Sequence, residues 1–235
     1  MDNIVDIFRT AIEDLGQTIS VDSVVDNGNG TWTLFVQNTK WLRPYADNMS
    51  RSTKVTISAV DYNITSLVYN TSITLTTATD LSSVTSLTIQ APIYINGTQL
   101  AVSKERGNVL QKWTEYPFVW LVEPFLADEN KDKRSIIASS PDLTLLFLDG
   151  DNATDWSTAD RYTKVIKPMD ELVEALYQKI LTTRATFGKV TSWKVIRHAK
   201  FGKQAENGHI HSIIDENTSG VELRFSVDIL KKCNC

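Results

Sequence analysis

The residues best suited to chemistry lie in "LLFLDGDNATDWSTAD", positions 145–160, where an apolar run ends in Asp149, Asp151 and Asp155. Carboxylates two apart beyond a buried strand can transfer phosphoryl groups. One attacks phosphorus, its neighbour handles the leaving-group proton, and Mg²⁺ neutralises the phosphate. The alternate spacing also suits a calcium loop, but Ala153 occupies a ligand position and the required glycine is missing. Asp, Gly and Asn are equally the residues of a plain strand-to-helix connection, where short polar side chains bond nearby backbone. A second grouping is "GHIHS": in a strand His209 and His211 would face one way, and Cys233 with Cys235 could complete a zinc tetrahedron.

The Asp-x-Asp turn resembles the first motif of the haloacid-dehalogenase-like phosphatases, which would make Asp149 the nucleophile and Asp151 the acid–base. The chain departs from that pattern at Ala153, where the family has Thr or Val, with Thr154 one place late. The later acidic pair of the family has no counterpart in "WKVIRHAKF" or "VELRFSVDI", and only 86 residues follow Asp149. Neither Gly-x-Ser-x-Gly, nor a phosphate loop ending Gly-Lys-Ser/Thr, nor Gly-x-Gly-x-x-Gly, nor His-Glu-x-x-His occurs. The sequence therefore names no catalytic, cofactor-binding or metal-ligating residue. A Mg²⁺-dependent phosphatase using Asp149 and Asp151 is the alternative.

The elements that would position these residues are legible from periodicity. Ile4, Ile7, Phe8, Ala11, Ile12 and Leu15 recur at helical spacing, with Asp2 or Asn3 to cap the first turn and Gly16 as a left-handed stop. "TISVDSVV" and "TWTLFVQ" alternate on either side of "DNGNG", which reads as a hairpin with Trp32, Leu34 and Val36 on one face. From about 43 to 109 Thr, Ser and Asn alternate with Val, Ile and Leu. "KVTISAV", "YNITSLVY", "SITLTT", "SLTIQAPIYI" and "TQLAVSK" each suit a half-exposed strand, and Asn96-Gly97 reads as the clearest tight turn. "FVWLVE" and "LTLLFLD" do not alternate, so both are buried on two faces at the centre of a sheet. A helix follows with Val165, Met169, Leu172, Val173, Leu176, Tyr177 and Ile180 on one stripe. Ser157 and Asp160 stand at capping-box spacing, and Pro168 kinks the helix or starts a second one. "KVTSWKVIRHAKF" and "GVELRFSVDIL" are expected to pair antiparallel.

The expected fold is thus α+β: a mostly antiparallel sheet flanked by an N-terminal helix and a long second helix, with a Thr-rich β insertion. Residues 1–235 are read as a single domain, with a possible β-rich inserted subdomain at 43–109.

Composition narrows the function classes. A net charge of −4 argues against a broad phosphate-binding face, so sequence-specific nucleic-acid binding is not expected. No apolar run approaches the roughly 20 residues that span a bilayer, and "MDNIVDIFRTAIEDLG" is too acidic for a targeting peptide. The expectation is a cytoplasmic, membrane-independent protein. Seven Asn-x-Ser/Thr triplets, at Asn29, Asn48, Asn63, Asn70, Asn96, Asn152 and Asn217, are what a Thr- and Asn-rich β protein makes by chance. Tyr62, Tyr69 and Tyr94 motivate a third reading, a carbohydrate- or receptor-binding β module, provided they form an exposed platform.

The segments "KWTEYPFVWLVEPFLADE" and "LTLLFLDGDNATDWSTADRYTKVIKPMDELVEALYQKI" and the closing strand "GVELRFSVDIL" resemble proteins of phage neck and tail modules. The likeness is to tail-terminator or tail-completion proteins such as those of crAss-like phages, and it covers roughly 111–230 with the opening helix. It implies a structural virion protein of the tail or neck: a homo-oligomeric ring at the head–tail junction that contacts neighbouring neck and tail proteins, after assembly in the host cytoplasm. The Thr-rich span departs from a minimal terminator and suggests additional contacts.

Overall fold

A computed structural model describes residues 3–42, 54–98, 117–129, 137–150, 156–201, 203–206, 209–212 and 218–230. The chain opens with helix α1 (Ile4–Glu13), whose cap is Asn3: its side-chain oxygen accepts from the Val5 amide at 3.3 Å. Phe8, Ala11 and Ile12 are buried, as the spacing predicts. Gly16 does not stop the helix in a left-handed conformation. Its missing side chain serves close approach instead, because a Cβ there would lie 3.2 Å from the Ala91 amide nitrogen.

Seven strands then build one antiparallel sheet. They are β1 (Gln17–Ser20), β2 (Ser23–Asp26), β3 (Thr31–Phe35), β4 (Lys54–Ile57), β5 (Val60–Val68), β6 (Ser72–Thr76) and β7 (Ser86–Ile89), in the order β1-β7-β4-β5-β6-β3-β2. Consecutive strands β1 and β2 are thus its opposite edges, joined only by Val21 and Asp22. Three peptide steps reach about 11 Å at most, so the sheet must curl until its margins nearly meet. The link is fastened on both sides: the Val21 amide donates to the Thr85 carbonyl at 2.9 Å and the Asp22 amide to the Phe35 carbonyl at 2.8 Å. Nine-residue β5 serves both halves of the curl, pairing with β4 through Val60–Asn63 and with β6 beyond Ile64, where the register shifts. Leu34, Val55, Ile64, Ile73, Leu75 and Ile89 fill the interior.

The β2–β3 hairpin forms where "DNGNG" predicts it, with Asp26 opposite Trp32. Gly28, Asn29 and Gly30 take φ of 75°, 54° and 71°, a run of left-handed residues that glycine and asparagine tolerate. The β4–β5 turn was not legible. It uses Ser58 and Ala59 at φ 50° and 64°, inside what reads as one continuous strand.

The second sheet has the order β12-β15-β11-β9-β8, with β10 beside β11. Its strands are β8 (Ile93–Gly97), β9 (Phe118–Val122), β10 (Leu126–Glu129), β11 (Ile137–Gly150), β12 (Phe187–Phe201) and β15 (Thr218–Leu230). A separate hairpin pairs β13 (Lys203–Glu206) with β14 (His209–Ser212). As expected, β9 and β11 are buried and central, and β12 pairs antiparallel with β15. Asn96-Gly97 makes no hairpin turn. It ends β8, which runs parallel to β9 with Asn96 opposite Leu121, and a parallel neighbour cannot be reached through a tight turn. "SLTIQAPIYI" is likewise not one strand: the chain leaves the curled sheet at Ile89 and enters the second sheet at Ile93, with Pro92 at the break.

Between β11 and β12 lie α2 (Thr158–Arg161), a π turn (Tyr162–Ile166) and α3 (Lys167–Thr182). Ser157 and Asp160 form the expected capping box. Pro168 has no N–H for Lys164, and just before it the Lys167 amide reaches back to the Tyr162 carbonyl, which widens the helix by one residue. Val165, Met169, Leu172, Val173, Leu176 and Ile180 are buried against β11 and β15. Phe187, Phe8, Phe225, Trp193 and Tyr177 form a chain of rings joining α1, α3, β12 and β15, with centroids 4.8–5.6 Å apart. The fold is α+β and mostly sheet, and among the described residues every strand pair is antiparallel except β8–β9.

Candidate functional site

Asp149 sits near the end of β11, opposite Ser219 of β15, and is 1% exposed. One of its carboxylate oxygens accepts from the Gly150 amide at 2.6 Å. All three strands paired with β11, namely β9, β10 and β15, run antiparallel to it. The crevice that open parallel sheets present beyond their carboxyl ends therefore does not form around this strand. Asp151 and Asp155 lie outside the described residues. Trp156 and Arg161 are both buried, and the cation above the Trp156 ring is the Lys164 ammonium, 4.7 Å from its centre.

His209 and His211 fall on β14, opposite Glu206 and Gln204 of β13, whereas Cys233 and Cys235 lie outside the described residues. Among the described residues no group of three His, Cys, Asp or Glu side chains is placed to hold a metal ion. No described helix is long and apolar enough to cross a membrane.

The three tyrosines do not share a platform. Tyr62 is buried in the curled sheet. The Tyr69 hydroxyl donates to Glu171 on α3 at 2.5 Å while the Lys167 ammonium stands 4.1 Å above its ring, and burial with the adjacent carboxylate raises its pKa well beyond the usual phenol range. Tyr94 lies near Arg9 of α1, with the guanidinium 5.9 Å from its ring centre.

A polar constellation lies on the face of the second sheet turned away from the helices. Strand alternation sends Val221, Leu223 and Phe225 of β15 into the core and Glu222, Arg224 and Ser226 to the other side. Glu222, 7% exposed, accepts from Arg224 Nε with one oxygen and lies 2.8 Å from His198 Nε2 on β12 with the other. Its burial alone would raise the carboxyl pKa, but the bonds to His198 and Arg224 outweigh that and hold it below the usual value. One register step further along, Ser226 bonds both Asp142 of β11 and Ser192 of β12, the latter at 3.0 Å. The two groups together contain Ser, His and carboxylates, the ingredients of a nucleophilic triad. However, Ser192 and His198 are six residues apart on one strand, about 20 Å at the usual rise, far beyond hydrogen-bond reach. The constellation cross-links β11, β15 and β12 instead. Alternation in "VELRFSVDI" reveals its β15 members, but the β12 partners depend on a register that no local signal specifies.

A depressed folded-state pKa means that Glu222 stabilises the protein above its unfolded value of about 4.3, and that this contribution disappears as pH falls through the folded value. Glu222→Gln is therefore expected to lower the urea midpoint at pH 6 while flattening its fall between pH 6 and pH 3. Parallel acid profiles for the two proteins would refute this linkage.

A cleft of about 320 Å³ opens between α1 and the end of α3, lined by Asp6, Thr10, Asp14, Lys179, Thr186 and Phe187. Its carboxylates are engaged: Asp14 with Lys179 at 2.9 Å, Asp6 with Arg9 at 3.1 Å. No family model, curated protein or solved structure matches this chain.

Proposed function

We propose that the protein is a structural component of a phage virion, a ring-forming tail terminator or head–tail connector that works by assembly. The observation that carries this reading is how its polar and apolar groups are used. Titratable side chains are paired within the fold: Glu222 with His198 across two strands, Asp170 with Arg197 between helix and strand, and Asp14 with Lys179 between the ends of α1 and α3. Large apolar side chains, meanwhile, stand outward on the curled sheet: Val25 at 45%, Phe35 at 37%, Val60 at 52% and Val68 at 55% exposure. Phe35 and Val68 flank Ser72 in one row across β3, β6 and β5. Their surroundings, Thr33, Thr74 and Ser66, carry no charge, which suits a surface made to be covered.

In a closed ring each copy offers one surface to a different surface of the next, and the curled sheet supplies such a surface apart from the helices. Neighbouring neck and tail proteins would cover the remaining faces, and no cofactor or metal takes part. The test is electron microscopy of the purified protein with immunolabelling of particles. Closed rings, and label at the head–tail junction, are the expected results. The double variant Asp149→Asn/Asp151→Asn should assemble like the parent. Loss of Mg²⁺-dependent phosphatase activity in that variant, from a parent that is monomeric and absent from particles, would overturn the proposal.

A further inference from the structure

The two sheets treat their edges differently. The curled sheet brings its margins together through Val21 and Asp22, whereas β12, fifteen residues long, pairs among the described residues only with β15. From Gly188 to Ala199 its residues are accordingly half-buried or exposed while those of β15 beside it are mostly buried. Such an edge presents a row of backbone donors and acceptors to any strand that can lie against it. Register shifts before Ser192 and after His198 interrupt the strand and leave Ser192–His198 as its regular run, whose middle residue is Val195.

We infer that this run is a self-docking edge, and that two copies of the chain join through antiparallel β12–β12 pairing about a two-fold axis at Val195. The pairing makes the second sheet continuous across the dimer. Two-fold antiparallel pairing must place residues of the same face opposite each other, so each possible axis passes through one residue and fixes every other pair. An axis at Val195 uses all seven regular residues. On the helix side it sets Val195 on its own copy and Trp193 opposite Arg197, an aromatic–guanidinium pair. On the other side it sets Ser192 opposite His198, and Lys194 opposite Ile196, which its aliphatic stem can cover. No like charges meet. An axis at Lys194 or at Arg197 would set that cation against itself, and directly opposed like charges destabilise a sheet; an axis at Ile196 would leave Ser192 and Trp193 opposite positions beyond the register shift that follows His198. The apolar row Leu223–Val195 then continues into the partner's equivalents, and Trp193 already packs on Phe225 and Tyr177. The dimer does not depend on the ring proposal, because a two-fold contact joins two copies whether or not rings close.

The register makes the test sharp. In full-length protein with Cys233 and Cys235 replaced by Ser, single cysteines are introduced by Lys194→Cys, Val195→Cys, Ile196→Cys and Arg197→Cys, and each variant is oxidised. Opposed residues in an antiparallel pair have Cα atoms roughly 4.5–5.5 Å apart, within the span of a disulfide. Val195→Cys is expected to cross-link several-fold faster than the other three, and the unoxidised parent should sediment as a dimer or, where rings close, as an assembly of dimers, never as a monomer. Circular dichroism of each variant confirms that the sheet is intact. A parent of monomer mass, equal rates at all four positions, or fastest cross-linking anywhere but Val195 would overturn the inference.

Discussion

Gly220→Ala is expected to abolish folding. Gly220 lies in the middle of the second sheet, with Leu148 of β11 on one side and His198 of β12 on the other. A Cβ at this position would stand 3.0 Å from Leu148 Cα, 2.9 Å from Leu148 Cδ2, and well inside contact distance of the Phe147 carbonyl oxygen. Two of those atoms are backbone, and no rotamer change can move them. The strands would have to separate, at the loss of the ladder that joins Leu143–Gly150 to Thr218–Phe225. Overpacking ordinarily costs about 1–3 kcal/mol. A clash with backbone in a central ladder belongs to the exceptional class above about 4 kcal/mol, a large part of the 5–15 kcal/mol by which domains are usually stable. Soluble yield and the urea transition measure it. A variant unfolding within about 1 kcal/mol of the parent would mean that β11 and β15 are not paired in this register.

The second large effect belongs to Trp41. Its side chain is fully buried, and its indole N–H donates to the Gln90 carbonyl at 3.1 Å. Gln90 begins the three-residue passage from the curled sheet to β8, so this ring packs against the crossing from one sheet to the other. Trp41→Ala should cost about 3–5 kcal/mol through lost burial and the remaining cavity. For a chain of this length that is roughly 6–20 °C in Tm. Trp41→Phe separates the two contributions: it keeps most of the ring and leaves the Gln90 carbonyl without its donor, at a cost of about 1–3 kcal/mol. Calorimetry of the three proteins should rank them parent, Phe, Ala. An alanine variant as stable as the phenylalanine variant would show that the cavity refills and that the ring does not hold the crossing in place.

Elements whose signal is local were legible in the sequence. The stripe from Val165 to Ile180 has helical period over four turns, and β9 and the Leu145–Leu148 stretch of β11 are unbroken apolar runs, with prolines before and after β9. "DNGNG" can scarcely do anything except turn. Features set by distant partners were not legible. Ser58 and Ala59 adopt left-handed conformations because the pairing of Val55 with Tyr62 holds the turn closed, although neither residue favours it. Asn96-Gly97 has turn chemistry, yet Asn96 donates to Glu123 at 3.2 Å and the Gly97 carbonyl accepts from the Trp120 indole at 2.9 Å, so both serve the parallel β8–β9 pair. The carboxylates that first suggest chemistry illustrate the same limit. Asp149 was correctly placed at a strand end, but its burial and its antiparallel neighbours follow from the sheet. The Glu222 network, spread over strands far apart in sequence, left only an alternation to be noticed.

The short link at Val21 and Asp22 has a consequence for which changes the molecule can tolerate. A hoop fastened by two residues has no slack, so its girth is set by the number and stagger of its staves and not by its contents. An enlarged side chain in the lumen, at Ile64 or Leu75 for example, cannot be accommodated by swelling. Among the described residues the two margins of the sheet beneath α1 and α3, at β12 and β8, are not joined to each other, so it can fan to absorb the same extra volume. Lumen positions should therefore be the least exchangeable of the apolar residues, and the helix-covered side the more forgiving.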